Sequence, residues 1–238
     1  PYLMTNSTPA PRRSLAQALG ALMMTCAILF ALDMPRRLGL SLYTEQYLAA
    51  ILGFSLAITF LTAPRFSGVL TWLDPVLGAI GLLACVYVAW AYPVLVNELV
   101  YKPWDGLIVA SLIGLLTVEA VRRITGAGLT VIVVAFLLYG LFGHLLPFGM
   151  SRPIQWDRLS IYVVMDTNGL FGLPLMVTSV VVMAFVLMGQ VLTRSGGGEF
   201  FNDLALALVG RSRGGAAKIA VVSSFLFGSV SGSAVANV

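Results

Sequence analysis

The chain has 238 residues, of which 59% are hydrophobic and only 10% charged, and its formal net charge is +4. Because charged residues make up about a quarter of a typical soluble domain, this composition excludes that class and indicates an all-α, multi-pass membrane protein in a lipid bilayer. The basic residues stand as short pairs at the ends of apolar runs and form no continuous basic face. The positive charge therefore predicts membrane orientation and not binding to nucleic acid.

Apolar runs predict about six transmembrane helices. The runs cover residues 15–32, 47–62, 75–92, a stretch centred on 107–118, 128–146 and 173–192. Arg12 and Arg13 precede the first run, but no signal-peptide cleavage site follows it, so it is predicted to span the membrane. Cys26 and Cys85 lie inside apolar runs without CxxC spacing and are interpreted as packing residues.

Three charged residues end the fourth run. Glu119 can reach Arg122 and Arg123 at i,i+3 and i,i+4 spacing. We interpret the trio as an interfacial stop signal in preference to a coupling or partner-contact site. His144, near the end of the fifth run, has no carboxylate at helical spacing and is interpreted as an interfacial residue in preference to a proton relay.

The polar connection 147–168 is predicted to be a surface helix or a patch for a partner protein. After the sixth run, residues 199–209 place apolar side chains on one stripe and acidic ones opposite, which predicts an interfacial amphipathic helix. With six spans and an inner N-terminus, nine of the 14 Lys and Arg residues lie on the inner side. The positive-inside rule therefore favours a cytoplasmic N-terminus.

The last apolar run, 219–230, has twelve residues and would reach only about 18 Å into a hydrocarbon core of about 30 Å. The sequence SGSAVANV follows at 231–238. Non-helical backbone at membrane depth is tolerated only where protein buries it or where it lines a polar cavity. We therefore expect a half-helix that breaks at Gly232, with oxygens of Ser229, Ser231, Ser233 and Asn237 available to a small cation.

The same stretch also fits an ordinary spanning helix. Gly228 and Gly232 form a GxxxG motif, and Ala236 continues the small-xxx-small spacing. On this alternative the protein is a non-catalytic scaffold or assembly subunit that packs through this face. The residues alone leave both interpretations open.

The residues that three common catalytic or binding sites require are missing from the sequence. There is no GxxxxGK[ST] phosphate loop, Gly228–Gly232 has valine where a nucleophilic serine would stand, and one histidine with two isolated cysteines does not make a zinc site. The chain is predicted not to be an enzyme and to need no cofactor.

The stretch GGGEFFNDLALALVGRSRGGAAKIAVVSSFLFGSVSGSAVANV, residues 196–238, resembles the signature region of the large membrane subunit of tripartite ATP-independent periplasmic (TRAP) transporters. It has an acidic amphipathic segment, an Arg-Gly-Gly turn and a sequence similar to the tip of the first re-entrant hairpin. More narrowly, the chain resembles the fused permeases of the TAXI branch. Upstream, the resemblance rests on segment order and on short pieces at 119–123 and 136–142.

The resemblance implies an incomplete elevator-type transporter with the first half of a re-entrant hairpin. It implies a small-subunit-like four-helix region at 1–125 and the N-terminal part of the large subunit at 126–238, cut at the hairpin tip. The chain is thus expected to be a fragment, with Met4 as a candidate start. The implied activity is import of organic carboxylate anions, driven by a cation gradient, with Na⁺ as the expected coupling ion.

The expected partner is a periplasmic TAXI-type substrate-binding protein, and the expected location is a bacterial or archaeal cytoplasmic membrane. Carried onto this sequence, the family's cation site falls on Ser231, Gly232, Ser233 and Asn237. Ser229 and Ala234 are the expected substrate-facing residues of the tip. Ser223 and Ser224, about two turns earlier, are expected to bond to carbonyls of their own helix.

Overall fold

The computed structural model describes residues 10–64, 72–98, 104–145, 154–211 and 214–231, with backbone only at 10, 97, 98, 230 and 231. Every regular element in these ranges is helical, which confirms the predicted all-α class. The chain divides into two compact units, Pro1–Met176 and Val177–Val238.

The first unit contains seven described helices and the start of an eighth. They are α1 (Ala10–Ala31), α2 (Met34–Arg37), α3 (Thr44–Thr62), α4 (Leu73–Glu98), α5 (Trp104–Thr125), α6 (Ala127–Phe142), α7 (Trp156–Met165) and α8 (Leu173–Val177).

The chain continues into the second unit through a π-helical segment, Thr178–Val182. The remaining helices are α9 (Met183–Arg194), α10 (Gly197–Val209) and α11 (Gly215–Ser231).

Five described helical stretches are long and apolar enough to cross a membrane, and each corresponds to a predicted run. They are Pro11–Ala31, Thr44–Thr62, Leu73–Val96, Ala127–Leu145 and Leu173–Arg194. The remaining predicted span forms α5, a helix of 22 residues that carries four charged side chains and is not one of these five. The chain is therefore a multi-pass membrane protein.

The most extensive helix contact joins α3 to α4, and glycines allow it. A Cβ atom on Gly53 would lie 2.8 Å from the Cβ of Cys85, and one on Gly78 would lie 3.2 Å from the Cβ of Phe60. Small residues are typical where membrane helices approach closely. Cys85 and Phe60 are fully buried at this contact, which confirms the packing role predicted for Cys85.

Gly53→Val is expected to destabilise the α3–α4 pair by about 1–3 kcal/mol, because the added methyl groups overpack a filled contact. Gly20→Val in α1 is the matched control, since a Cβ at Gly20 would meet nothing within 4 Å. Thermal unfolding in detergent measures the difference. Equal loss of stability in both variants would show that the α3–α4 contact does not need a glycine.

The connection between α5 and α6 is a single residue. Gly126 has a φ of +84°, a conformation that side-chain-bearing residues rarely adopt, and the two helices end and begin on either side of it. Gly126 thus separates the fourth predicted run from the fifth.

The polar connection contains the helix α7, which packs on α5 and leaves Trp156 and Tyr162 exposed, as expected of a surface helix. Ser160, Val164 and Met165 are buried. Val164 lies one turn after Ser160, and Met165 extends the buried side of α7 at the end of the helix.

Candidate functional site

The predicted amphipathic helix is present as α10 in the second unit. Gly196, with a φ of +85°, precedes it. Ala205 is buried, whereas Phe200, Leu206 and Leu208 are exposed. Leu208 lies opposite Glu199 and Asp203, as the sequence predicts, whereas Leu206 is exposed beside them.

Side chains of α10 hold α11. The Ser223 hydroxyl donates to Oδ1 of Asn202 at 2.5 Å, and the rings of Phe201 and Phe227 meet edge to face with centroids 6.2 Å apart. The expectation that Ser223 bonds within its own helix is wrong, because its hydroxyl instead donates across to the side chain of Asn202 on α10. Because Ser223 and Phe227 are one turn apart, the polar contact and the aromatic pair hold one face of α11 against α10.

The predicted hairpin tip begins at the end of α11. Ser229 is exposed, and its hydroxyl donates to the carbonyl oxygen of Leu226 at 2.8 Å. Ser231 is the last described residue, as backbone in helical conformation. Gly232, Ser233, Ala234 and Asn237 lie outside the described residues, so the cation site and the substrate-facing tip stay predictions.

A second constellation, in the first unit, centres on Arg123. Its Nη1 donates to Oδ1 of Asp74 at 2.6 Å and to the carbonyl oxygen of Ala63 at 3.2 Å, and its Nε donates to Oε1 of Glu119 at 2.9 Å. The guanidinium also lies 4.4 Å from the centre of the Phe60 ring. Only 3% of the Arg123 side chain and none of the Asp74 side chain is exposed.

Glu119 joins this buried pair to Arg122. Arg122 makes a bidentate contact with Glu119: its Nε donates to Oε2 at 2.7 Å and its Nη2 donates to Oε1 at 2.6 Å. The Arg122 side chain is 31% exposed. Two guanidinium groups thus meet two carboxylates. We call Asp74, Glu119, Arg122 and Arg123 the ion cluster.

The ion cluster adds a buried pair to the trio that is interpreted as an interfacial stop signal. A buried charge of this kind persists only when paired and hydrogen-bonded, and Asp74 is the partner that the sequence argument did not find. The order of the spans predicts this partner. Consecutive spans run in opposite directions, so Asp74 at the start of α4 must lie at the same membrane side as Arg123 at the end of α5.

Both carboxylates of the ion cluster already accept hydrogen bonds from arginine. In the part of the chain that the structure describes, no group of three or more His, Cys, Asp or Glu residues could hold a metal ion. His144 is exposed in a short 3₁₀ turn, Gly143–Leu145. Through Arg123, the ion cluster joins α5 to Asp74 of α4 and to Phe60 of α3.

Comparison with protein families decides the class of protein. The family model of the DctM component of tripartite ATP-independent periplasmic transporters matches residues 112–238, which is more than half of the 238 residues. The chain belongs to this family. No curated protein and no solved structure matched the chain. Membership confirms the predicted TRAP resemblance and makes the chain a membrane component of a transporter, in a family of transporters and not of catalytic enzymes.

Only part of the ion cluster lies inside the matched region. Glu119, Arg122 and Arg123 lie inside the DctM match, whereas Asp74 lies before it. The cluster therefore ties the matched region to the helices that precede it. The TAXI branch, the fusion of two subunits and the domain boundary at 125/126 stay predictions.

Proposed function

We propose that this DctM-family chain is the permease part of a secondary-active importer of organic carboxylate anions, with Na⁺ as the coupling ion. A periplasmic TAXI-type binding protein delivers the substrate, and the chain lies in a cytoplasmic membrane with its N-terminus inside. The observation that carries the proposal is the family match across residues 112–238. It includes the whole stretch from α10 to the predicted hairpin tip.

The chemistry of the tip supports Na⁺. Ser231, Ser233 and Asn237 offer hydroxyl and amide oxygens, and a helix end offers unpaired backbone carbonyls, all hard ligands that suit an alkali cation. Gly232 supplies the backbone freedom that a break in the helix requires. The hydrogen bond from Ser223 to Asn202 holds α11, the helix that leads to this tip, against α10.

The helices before the match support a fused small subunit. Four predicted spans precede the break at Gly126, and the family match begins at residue 112, inside the fourth of them. The buried Arg123–Asp74 pair holds this fourth span against the third, so the first matched helix is packed on the helices that precede it.

Uptake into proteoliposomes tests the proposal. The full-length gene product is reconstituted, the cognate binding protein is loaded with a radiolabelled carboxylate, and a Na⁺ gradient, a pH gradient or no gradient is imposed. We expect uptake only with both the binding protein and the Na⁺ gradient. Uptake under the pH gradient alone would replace Na⁺ by H⁺, and no uptake under either gradient from folded protein would favour the scaffold alternative.

A further inference from the structure

A groove of about 290 Å³ opens where α5 meets α6. Its head is the side chain of Arg122, and the rest of its wall comes from one side of α6. The lining residues are Arg122, Ala127, Thr130, Val131, Val134, Ala135 and Leu138. The Thr130 hydroxyl donates to the carbonyl oxygen of Gly126 at 3.0 Å. Because this hydroxyl is already paired, the wall of the groove is apolar.

Arg122 keeps donor capacity at the head of this groove. A guanidinium has five N–H donors, and the bidentate contact with Glu119 uses one on Nε and one on Nη2. Glu119 in turn fixes the orientation of the Arg122 guanidinium, which is 31% exposed. Three N–H groups of a fixed, partly exposed guanidinium remain for an acceptor with several oxygens, and a phosphate is the matching chemical group.

We propose that the groove binds one anionic phospholipid of the inner leaflet, with its phosphate on Arg122 and one acyl chain along α6. The groove extends from Ala127 to Leu138, a rise of about 17 Å along a helix. This is close to one leaflet of a hydrocarbon core about 30 Å thick. Val131 and Leu138 are 64% and 49% exposed on this face, so the acyl chain of the lipid would cover apolar side chains.

The placement of Arg122 agrees with a lipid headgroup. It lies in the last turn of α5, one helical turn before the break at Gly126. The positive-inside count predicts the cytoplasmic side for this end, where anionic lipids are attracted to basic groups near the membrane surface. The choice of leaflet rests on the membrane orientation proposed above, whereas lipid binding itself does not depend on the proposed transport activity.

Native mass spectrometry of the full-length protein, released from vesicles of mixed phosphatidylglycerol and phosphatidylcholine, measures the retained lipid. Arg122→Gln removes the charge and Ala135→Trp fills the groove without touching the ion cluster. Each is expected to lower retained phosphatidylglycerol about tenfold, the scale of one lost charge-assisted contact. Arg194→Gln, at an exposed arginine that ends α9, is the matched control and should leave retention unchanged.

Three results would overturn the proposal. They are equal retention in Ala135→Trp and the parent protein, an equal loss in Arg194→Gln, and displacement of the lipid by excess inorganic phosphate, which would show that the headgroup alone is bound. If Arg122→Gln does not fold, Ala135→Trp decides the question, because it leaves every described hydrogen bond of Arg122 in place.

Discussion

Arg123→Ala is expected to lower the free energy of unfolding by about 3–5 kcal/mol, because it leaves a buried carboxylate without its charged partner. Asp74 is fully buried, and Nη1 of Arg123 donates to it at 2.6 Å. The same substitution removes the bond to the Ala63 carbonyl and the contact with the Phe60 ring. Denaturant unfolding in detergent micelles, followed by circular dichroism, measures the loss.

Two controls separate the charge effect from loss of bulk. Arg37→Ala, at an exposed arginine of α2, should change stability little. The double variant Asp74→Leu with Arg123→Met removes both charges and should recover most of the stability lost in Arg123→Ala, since replacing a buried pair by apolar groups is often neutral. A double variant no more stable than Arg123→Ala would show that packing, and not the unpaired charge, causes the loss.

Asn237→Ala and Ser233→Ala are expected to lower Na⁺-dependent uptake tenfold or more. Each removes one oxygen from the proposed cation site, and loss of even an outer-shell partner lowers metal affinity by about 10–100-fold. The measurement is uptake as a function of Na⁺ concentration in proteoliposomes. A higher Na⁺ concentration for half-maximal uptake identifies weaker Na⁺ binding. A lower maximal rate alone does not.

Ser195→Ala is the matched control for the serine variant. Its hydroxyl donates to the Leu192 carbonyl at the end of α9, away from the tip in sequence. Ser233→Val distinguishes the scaffold alternative, in which a packing face tolerates alanine and fails with a bulkier side chain. Full uptake in Ser233→Ala together with failure in Ser233→Val would contradict a cation site at this residue.

Apolar periodicity and length predicted most helices because membrane spans need long, nearly uncharged runs. The helix ends were predictable where a chain-breaking residue marks them, as Gly126 does between α5 and α6. The π-helical segment Thr178–Val182, with its fully buried Ser179, had no such mark. Its five residues read as ordinary apolar helix, and a change of hydrogen-bond register leaves composition unchanged.

The ion cluster shows what local patterns miss. Glu119 and Arg122 are neighbours at helical spacing, so their contact follows from the sequence. The contact of Arg123 with Asp74 joins residues 49 positions apart and depends on how α4 and α5 pack. Ser223 likewise bonds to Asn202 across two helices. Such contacts require the relative placement of helices, which composition and periodicity do not contain.

The predicted cation site rests on a different kind of argument. Ser233 and Asn237 were selected by resemblance to the family's hairpin tip and by the oxygen chemistry that Na⁺ prefers. The family match extends through both residues, which places them in the matched region. Their function is therefore a question for ion-flux measurements.

Substrate-coupled entry of radiolabelled Na⁺ tests the central claim most directly. Proteoliposomes with the full-length protein receive the binding protein, either loaded with carboxylate or empty, and both fluxes are recorded together. Loaded binding protein is expected to drive Na⁺ and carboxylate in at a fixed ratio, and Asn237→Ala is expected to abolish both fluxes. Carboxylate entry without Na⁺ entry, or Na⁺-coupled entry that Asn237→Ala leaves unchanged, would contradict the proposal.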